Sequence, residues 1–515
     1  MVHGTSHVLD AVVVATCGAA TVPAGLRWLR VAQREHYLAD AASRFALRWW
    51  RSSPLNILGL LVAAAGVFLG TRWPATALAT AVVAAGGPFG LGVRGRTSAL
   101  AWTRRLRTLA VTWAALQAVV LVAGVVTGVG PIVAGAGALA APALVDAACA
   151  LTAPFERRAA GRYVRRATDR LRRVQPTVVA ITGSYGKTTT KGYVAHLVSG
   201  SKVVVASPAS FNNKAGLARA VNEQLADGTE VFVAEMGTYG RGEIAELCRW
   251  VRPDVSVITA IGPVHLERFH TEDAIVEAKS EILGPASGVV LPVDDERLAS
   301  LADRAAAEDK HVWRVSVSDP SADVCVEPQA GRLRVRVRGE LTVEVPVDAR
   351  PSNVACAVAV ALQLGVPLDV VVSRLPTLPS APHRLEPAPT ANGRCLVLDD
   401  TYNANPAGAR VALEALERLS PPGARRAVVT PGMVELGRRQ ADENSRFAAA
   451  AAATATDIVV VGRTNRRALV SGARAANGAE VVVVARREHG VAWVRDHLGE
   501  GDVALFENDL PDHYP

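Results

Sequence analysis

The chain is short of lysine. Only six lysines occur among its 56 lysine and arginine residues, and none precedes Lys187. Arginine is used wherever a positive charge suffices, so a lysine that persists is a candidate for chemistry that needs a deprotonatable amine. Lys187 and Lys279 fall within motifs, whereas Lys191, Lys202, Lys214 and Lys310 read as surface residues. Cysteine is also scarce: Cys17, Cys149, Cys248, Cys325, Cys356 and Cys395 are scattered, with no C-x-x-C pair. That pattern excludes a zinc ribbon or dithiol motif and suits small buried hydrophobes in a reducing compartment. Neither zinc-finger spacing nor a basic patch interleaved with aromatics is present, so nucleic acid is not an expected partner.

Charge is nearly missing from five stretches of the first third, residues 11–26, 54–70, 74–93, 108–130 and 131–155. A bilayer core takes about 20 apolar residues per helix, so these read as five transmembrane helices. Arginines concentrate in every second connection: six in residues 27–51, five in 94–107 and eight in 156–173. This alternation is the positive-inside pattern for an N-terminus outside and everything after residue 155 in the cytoplasm. The net charge of +8 comes largely from these arginines, so membrane lipid is an expected partner. Residues 156–174 read as a basic helix lying on the membrane surface.

What is present is a phosphate loop. Gly183-Ser184-Tyr185-Gly186-Lys187-Thr188-Thr189 follows an apolar run and opens a helix-forming segment. Glycines let backbone N–H groups close on phosphate oxygens, the helix start favours negative charge, Lys187 neutralises it and Thr188 suits Mg²⁺. After residue 177, apolar β-rich runs at 203–205, 231–233, 255–258 and 289–291 alternate with helical patterns, as in a mostly parallel sheet with helices on both faces. Residues 332–347 alternate apolar and polar, as in an appended β-hairpin, and a helix over 353–364 ends at Gly365. Pro376, Pro379 and Pro382 mark a linker before a second α/β unit with strands at 395–400, 427–430, 457–461 and 481–484. The expected division is a membrane region over 1–155, a basic linker over 156–175, an ATP-binding domain over 176–375 and a smaller Rossmann-like domain over 383–515. Strand ends of a parallel sheet share one crevice, so Glu235 and His265 are expected beside Thr188 at a magnesium and phosphate site.

Further motifs follow in order: Ser210-Phe211-Asn212-Asn213, Glu235-Met236-Gly237, His265-Leu266-Glu267, Glu277-Ala278-Lys279-Ser280-Glu281, His383-Arg384, Asp399-Asp400-Thr401-Tyr402-Asn403 and Gly432-Met433-Val434-Glu435-Leu436-Gly437. Together with the phosphate loop they resemble the Mur ligases over residues 175–440, most of all the branch that adds D-alanyl-D-alanine. The resemblance implies an ATP-dependent carboxylate–amine ligase that works through an acyl phosphate in peptidoglycan or other cell-envelope synthesis. It implies that Gly183, Ser184, Tyr185, Gly186, Lys187, Thr188 and Thr189 bind ATP, and that Thr188, Glu235, His265 and Lys279 hold Mg²⁺. Lys279 matches the family lysine that CO₂ carbamylates. Asn212 is implied beside the γ-phosphate, Asn353 at adenine, and Arg384 and Asp400 closing over ATP.

The chain departs from the family at three places. Membrane spans stand where a uridine-diphosphate-binding domain is usual, so the acceptor is a lipid-linked or other cell-envelope precursor and the donor an amino acid or peptide amine. Cys356 replaces the second amide of the adenine-side pattern. An acidic stretch over 507–511 replaces a basic one. A polyglutamate or capsule-type ligase, and an ATPase powering the membrane region, are the alternative readings.

Overall fold

The computed structural model describes residues 2–95, 99–208, 211–329, 331–347, 349–379, 386–389, 395–401, 405–510 and 512–515, with the backbone alone at 2–7 and 386–389. Seven helices come first: α1 (Val2–Arg34), α2 (Ala41–Trp50), α3 (Pro54–Leu69), α4 (Ala77–Gly86), α5 (Arg104–Val126), α6 (Gly130–Leu139) and α7 (Ala141–Val174). Buried polar groups knit this bundle. Arg27 of α1 donates to the Ala84 and Gly87 carbonyls at 3.3 and 2.8 Å, satisfying the end of α4. Asp146 of α7 accepts from the Ala42 and Ser43 amides at 3.0 and 2.8 Å, capping the start of α2.

The five expected spans are only partly realised. Two helices, over Val8–Arg34 and Arg104–Val126, are long and apolar enough to cross a membrane. The count reaches four if α2 with α3, bent by 111°, and α6 with α7, bent by 73°, are each one span. The stretch at 74–93 fails for a local reason. Pro74 opens a short 3-10 turn, and the helix after it, α4, ends at Gly86 before Gly87 and Pro88. Ten residues rise about 15 Å, half of a hydrocarbon core of about 30 Å.

The second correction concerns residues 156–174, which are neither a separate linker nor a surface helix. They continue α7 without interruption, and Val164, Ala167 and Leu171 enter a core shared with Leu217, Val221 and Ile244 of the following domain. Val164 and Leu171, nearly fully buried, contribute roughly 1.5–3 kcal/mol each. Arg170 donates to the Asn222 carbonyl at 2.9 Å, fixing the helix along its polar side.

The next domain is a nine-stranded sheet in the order β2-β3-β1-β4-β5-β6-β7-β8-β9. Its strands are β1 (Thr177–Thr182), β2 (Val204–Ala206), β3 (Val231–Glu235), β4 (Val255–Ile258), β5 (Gly288–Pro292), β6 (His311–Ser316), β7 (Val324–Gln329), β8 (Arg332–Val337) and β9 (Glu340–Val345). Pairing is parallel from β2 to β7 and antiparallel through β8 and β9. The parallel strands are nearly continuous apolar runs because helices cover both faces. Those helices are α8 (Lys187–Val198), α9 (Lys214–Gln224), α10 (Glu243–Val251), α11 (Leu266–Phe269), α12 (Glu272–Ser280), α13 (Glu296–Ala307), α14 (Pro351–Gln363) and α15 (Leu368–Arg374). One core joins α8 and α14 to the sheet, and the other joins α9, α10 and α13 to its opposite face.

A six-stranded sheet follows in the order β10-β11-β15-β12-β13-β14. It comprises β10 (Glu386–Pro389), β11 (Cys395–Asp400), β12 (Arg426–Thr430), β13 (Asp457–Val461), β14 (Glu480–Val484) and β15 (Asp502–Glu507), with α16 (Pro406–Leu419), α17 (Gln440–Thr454), α18 (Arg466–Ala476) and α19 (Arg487–His497). All pairs are parallel except β10 with β11.

Candidate active site

β1 lies between β3 and β4, so its end opens where the two neighbouring strands also stop. The chain then turns through Gly183 and Gly186, at φ +152° and +78°. A Cβ at Gly183 would sit 2.0 Å from the Thr259 hydroxyl, and one at Gly186 would sit 2.4 Å from Asn353 Oδ1, so neither place admits a side chain. Lys187 begins α8, and its Nζ donates to the Gly183 carbonyl at 2.7 Å, across the concave side of the loop. Ser184 and Tyr185 brace the loop against the β4 end. Ser184 Oγ bonds the Gly262 carbonyl at 3.1 Å and accepts from the Gly262 amide at 3.0 Å, while the Thr259 hydroxyl donates to the Tyr185 carbonyl.

Glu235 closes β3 opposite Ile181. Its carboxylate accepts from the Thr188 hydroxyl at 3.0 Å, from Lys191 Nζ at 3.0 Å and from Asn212 Nδ2 at 3.3 Å. Burial pushes this carboxyl up, but the Lys191 charge and bond, with Lys187 and Asn212, hold it below its usual range. Lys191, expected at the surface, is therefore an inner residue, 5% exposed. The signal was its spacing: four residues after Lys187, it lies one turn on along the helix face that meets the crevice.

Lys279, on α12, is also buried. Burial first, and the nearby Lys187 charge second, push its ammonium well below the usual lysine range. Among the described residues no carboxylate offsets the Lys279 ammonium, and Lys187 is the one charge that acts on it. His265 follows β4 in the left-handed conformation, φ +62° and ψ 21°, and starts α11. Its Nδ1 bonds the carboxylate of Glu435, and the Tyr239 ring meets it edge-on at 5.0 Å. Glu435 belongs to the second sheet's domain, where Asn444 and Asn465 pin the Pro431 and Met433 backbone that leads to it.

Thr188, Glu235, Asn212 and Lys187 are thus gathered at one point, Lys279 lies within the field of Lys187, and His265 is turned to Glu435. Among the described residues no three His, Cys, Asp or Glu side chains make a metal site on their own. The Thr188 and Glu235 oxygens are the hard donors that suit Mg²⁺. Asn353, 6% exposed against Gly186, has a buried Nδ2 with no hydrogen-bond partner, an unspent donor beside the loop of the kind a nucleotide uses. Cys356, three residues on, is fully buried in the apolar core and faces no ligand. Asp400 ends β11 beside Glu507 of β15, and Asp509 pairs with Arg487, so these two acidic residues of the 507–511 stretch are engaged within their own domain. Arg384 and Ser210, His383 and residues 402–404 of the sequence motifs lie outside the described residues.

Comparison with known proteins finds likeness over both α/β domains. The Mur ligase middle domain matches residues 181–361, and the Mur ligase glutamate ligase domain matches residues 383–507. The UDP-N-acetylmuramoyl-tripeptide–D-alanyl-D-alanine ligase of Mycobacterium tuberculosis is 32% identical over 346 residues, 64% of this chain and 67% of that protein. The Escherichia coli ligase of the same name is 28% identical over 297 residues, 56% of this chain and 64% of that one. Among solved structures, MurF from Acinetobacter baumannii superposes with a TM-score of 0.59 at 26% identity, covering 67% of this chain and 77% of that chain. MurF ligase from Thermotoga maritima in complex with ADP gives 0.59 at 26%, covering 68% and 80%.

Proposed function

The chain belongs to the Mur ligase family, as an ATP-dependent ligase that forms amide bonds, and from that premise we propose that it joins a cell-envelope precursor to an amine in peptidoglycan synthesis. A carboxylate oxygen of the precursor attacks the γ-phosphorus of ATP, ADP leaves, and an acyl phosphate forms. The amine nitrogen then attacks the acyl carbon, loses a proton and expels inorganic phosphate. Loop amides and Lys187 hold the phosphates, Asn212 lies at the γ-phosphate, Asn353 reads adenine, and Arg384 and Asp400 close over the nucleotide. Thr188, Glu235, His265 and Lys279 would hold Mg²⁺, which supplies charge neutralisation for the transferred phosphoryl group.

The observation that carries this reading is the Thr188–Glu235 contact at the head of α8, whose first residue, Lys187, acts in turn on the buried Lys279. A neutral Lys279 amine adds CO₂ and loses a proton, becoming a carbamate anion on the metal side. Arginine has no such chemistry.

The helical region is, in this reading, set in the cell membrane, with the N-terminus outside and both α/β domains in the cytoplasm; this odd number of crossings has residues 74–93 pass through as the short α4 followed by irregular chain, which Arg27 meets at Gly87 and Arg30 at Gly92. Support comes from side chains that water would not favour: Val119 and Val126 of α5 are 65% and 80% exposed, and Phe68 of α3 is 75% exposed. Two of the arginine-rich connections meet where Arg105 lies 4.1 Å over the Tyr37 ring, and Arg48 of the first of them pairs with Glu267 of the next domain. Such a site suits a lipid-linked acceptor.

The test is ADP release by the whole chain in detergent with candidate precursors and amines. The ligase reading expects release only when both are present. Release with amine omitted points to an ATPase driving the helical region. Release supported by glutamate and a polyglutamate acceptor points to the capsule-type ligase.

A further inference from the structure

We propose that the helical region is a working part of the ligase site, with Glu35, just beyond the end of α1, a positioning residue for His265. This rests on the reading of His265 as a residue of the metal and phosphate site.

The geometry is a short relay. Glu35 Oε2 pairs with Arg268 Nη2 at 3.2 Å, and both side chains are nearly buried. The Arg268 guanidinium lies 4.7 Å over the Tyr239 ring, and Tyr239 in turn meets His265 edge-on. His36, the next residue along from Glu35, packs on Tyr239 at 5.3 Å. One residue earlier in α11, Glu267 accepts from Arg48 of α2 at 2.6 Å. The two residues of α11 that follow Leu266 are therefore each held by an ion pair from the helical region.

His265 needs such support. A non-glycine residue in the left-handed region holds that conformation only where its surroundings impose it. Glu435 fixes the imidazole from the second α/β domain, and the Glu35 and Arg48 pairs fix the backbone that follows. Buried ion pairs add little net stability but break expensively, so their effect here is to set one geometry. Glu35 carries a second tie: its Oε1 bonds His513 Nε2 at 3.2 Å, and Arg30 pairs with Asp512 at 2.7 Å. The segment at 512–515 thereby joins the helical region to the second α/β domain, where the Thr464 hydroxyl bonds the Pro515 carbonyl. All three parts of the chain meet around one histidine.

The experiment compares Glu35→Gln, Glu35→Asp and His265→Ala in the whole chain in detergent, reading amine-dependent ADP release, KM for ATP, Mg²⁺ activation and binding of a fluorescent ADP analogue. Glu35→Gln is expected to lower kcat about tenfold and to raise the Mg²⁺ needed for half-maximal rate, with KM for ATP and ADP binding unchanged. Glu35→Asp, which keeps the charge, is expected to recover most of the rate. Should Glu35→Gln fail to fold, Arg268→Ala reads the same link with the same expected split. Wild-type kcat in Glu35→Gln beside an inactive His265→Ala overturns the positioning role alone. Wild-type kcat in His265→Ala overturns the site reading beneath it. A loss of ADP binding parallel to the loss of kcat in Glu35→Gln also overturns the proposal, because it marks a general loosening of the fold.

Discussion

Lys191 Nζ and Glu235 Oε2 stand 3.0 Å apart, and both side chains are almost wholly buried. The same carboxylate oxygen accepts from the Thr188 hydroxyl, so the lysine fixes an acidic group at the point where the proposed metal sits. Removing this cation breaks the buried ion pair and leaves the carboxylate to Thr188, Asn212 and the Lys187 charge. Lys191→Met is expected to lower stability by about 3–5 kcal/mol and to weaken Mg²⁺ activation. Thermal unfolding and Mg²⁺ titration of ADP release check it, and unchanged values in both contradict it.

Lys279 is the residue on which the proposed carbamate depends. Lys279→Ala is expected to abolish ligation, and a short carboxylate such as acetate or formate is expected to restore part of it by occupying the vacated space. Lys279→Arg is expected to stay inactive at every bicarbonate concentration. An active arginine variant rules out the carbamate.

The same lysine has a stability signature. Its folded pKa lies well below 10.5, so between that depressed value and about 10.5 the unfolded chain binds more protons than the folded one. Stability from this group therefore rises with pH across that window and levels off outside it. Lys279→Met is expected to be more stable than the parent near neutrality and to lack this slope. Denaturant unfolding in CO₂-free buffer at pH 7 and 9 measures both, and parallel slopes in parent and variant contradict it.

The proposed topology makes a labelling prediction. The native cysteines, Cys17, Cys149, Cys248, Cys325, Cys356 and Cys395, are all buried, so background from them is low. Single cysteines at Arg72 and Gly128 are expected to react with a membrane-impermeant maleimide in intact cells, and cysteines at Arg51 and Arg107 only after lysis. Labelling of all four before lysis contradicts the assignment.

Much of the α/β architecture was legible because a parallel strand covered on both faces is a short unbroken apolar run, as at 231–233 and 255–258. The phosphate loop announces itself through residues that no other geometry requires. β15 was less visible: its four apolar residues, Val503 to Phe506, stand between Asp502 and Glu507 at the start of an acidic stretch, yet it pairs centrally between β11 and β12. Lys191 was hidden because burial of a cation depends on Glu235, which is 44 positions away and reached only through sheet pairing. Glu435 is 170 positions from His265, and nothing local in either sequence marks the other. In the helical region composition indicated apolar helices, but the breaks before Pro54 and at Ala140 and the short α4 arise from turn geometry and packing that hydropathy does not encode.

α7 is a single uninterrupted rod of 34 residues, about 50 Å long. Its first half belongs to the apolar bundle and its second half is bolted into the nucleotide domain. An enzyme carried on such a mast has a fixed standing height and a fixed azimuth, and cannot swing on a leash in search of distant substrate. In the membrane setting proposed above, encounter becomes a two-dimensional problem, in which whatever slides past at the right level is met by a mouth already turned toward it.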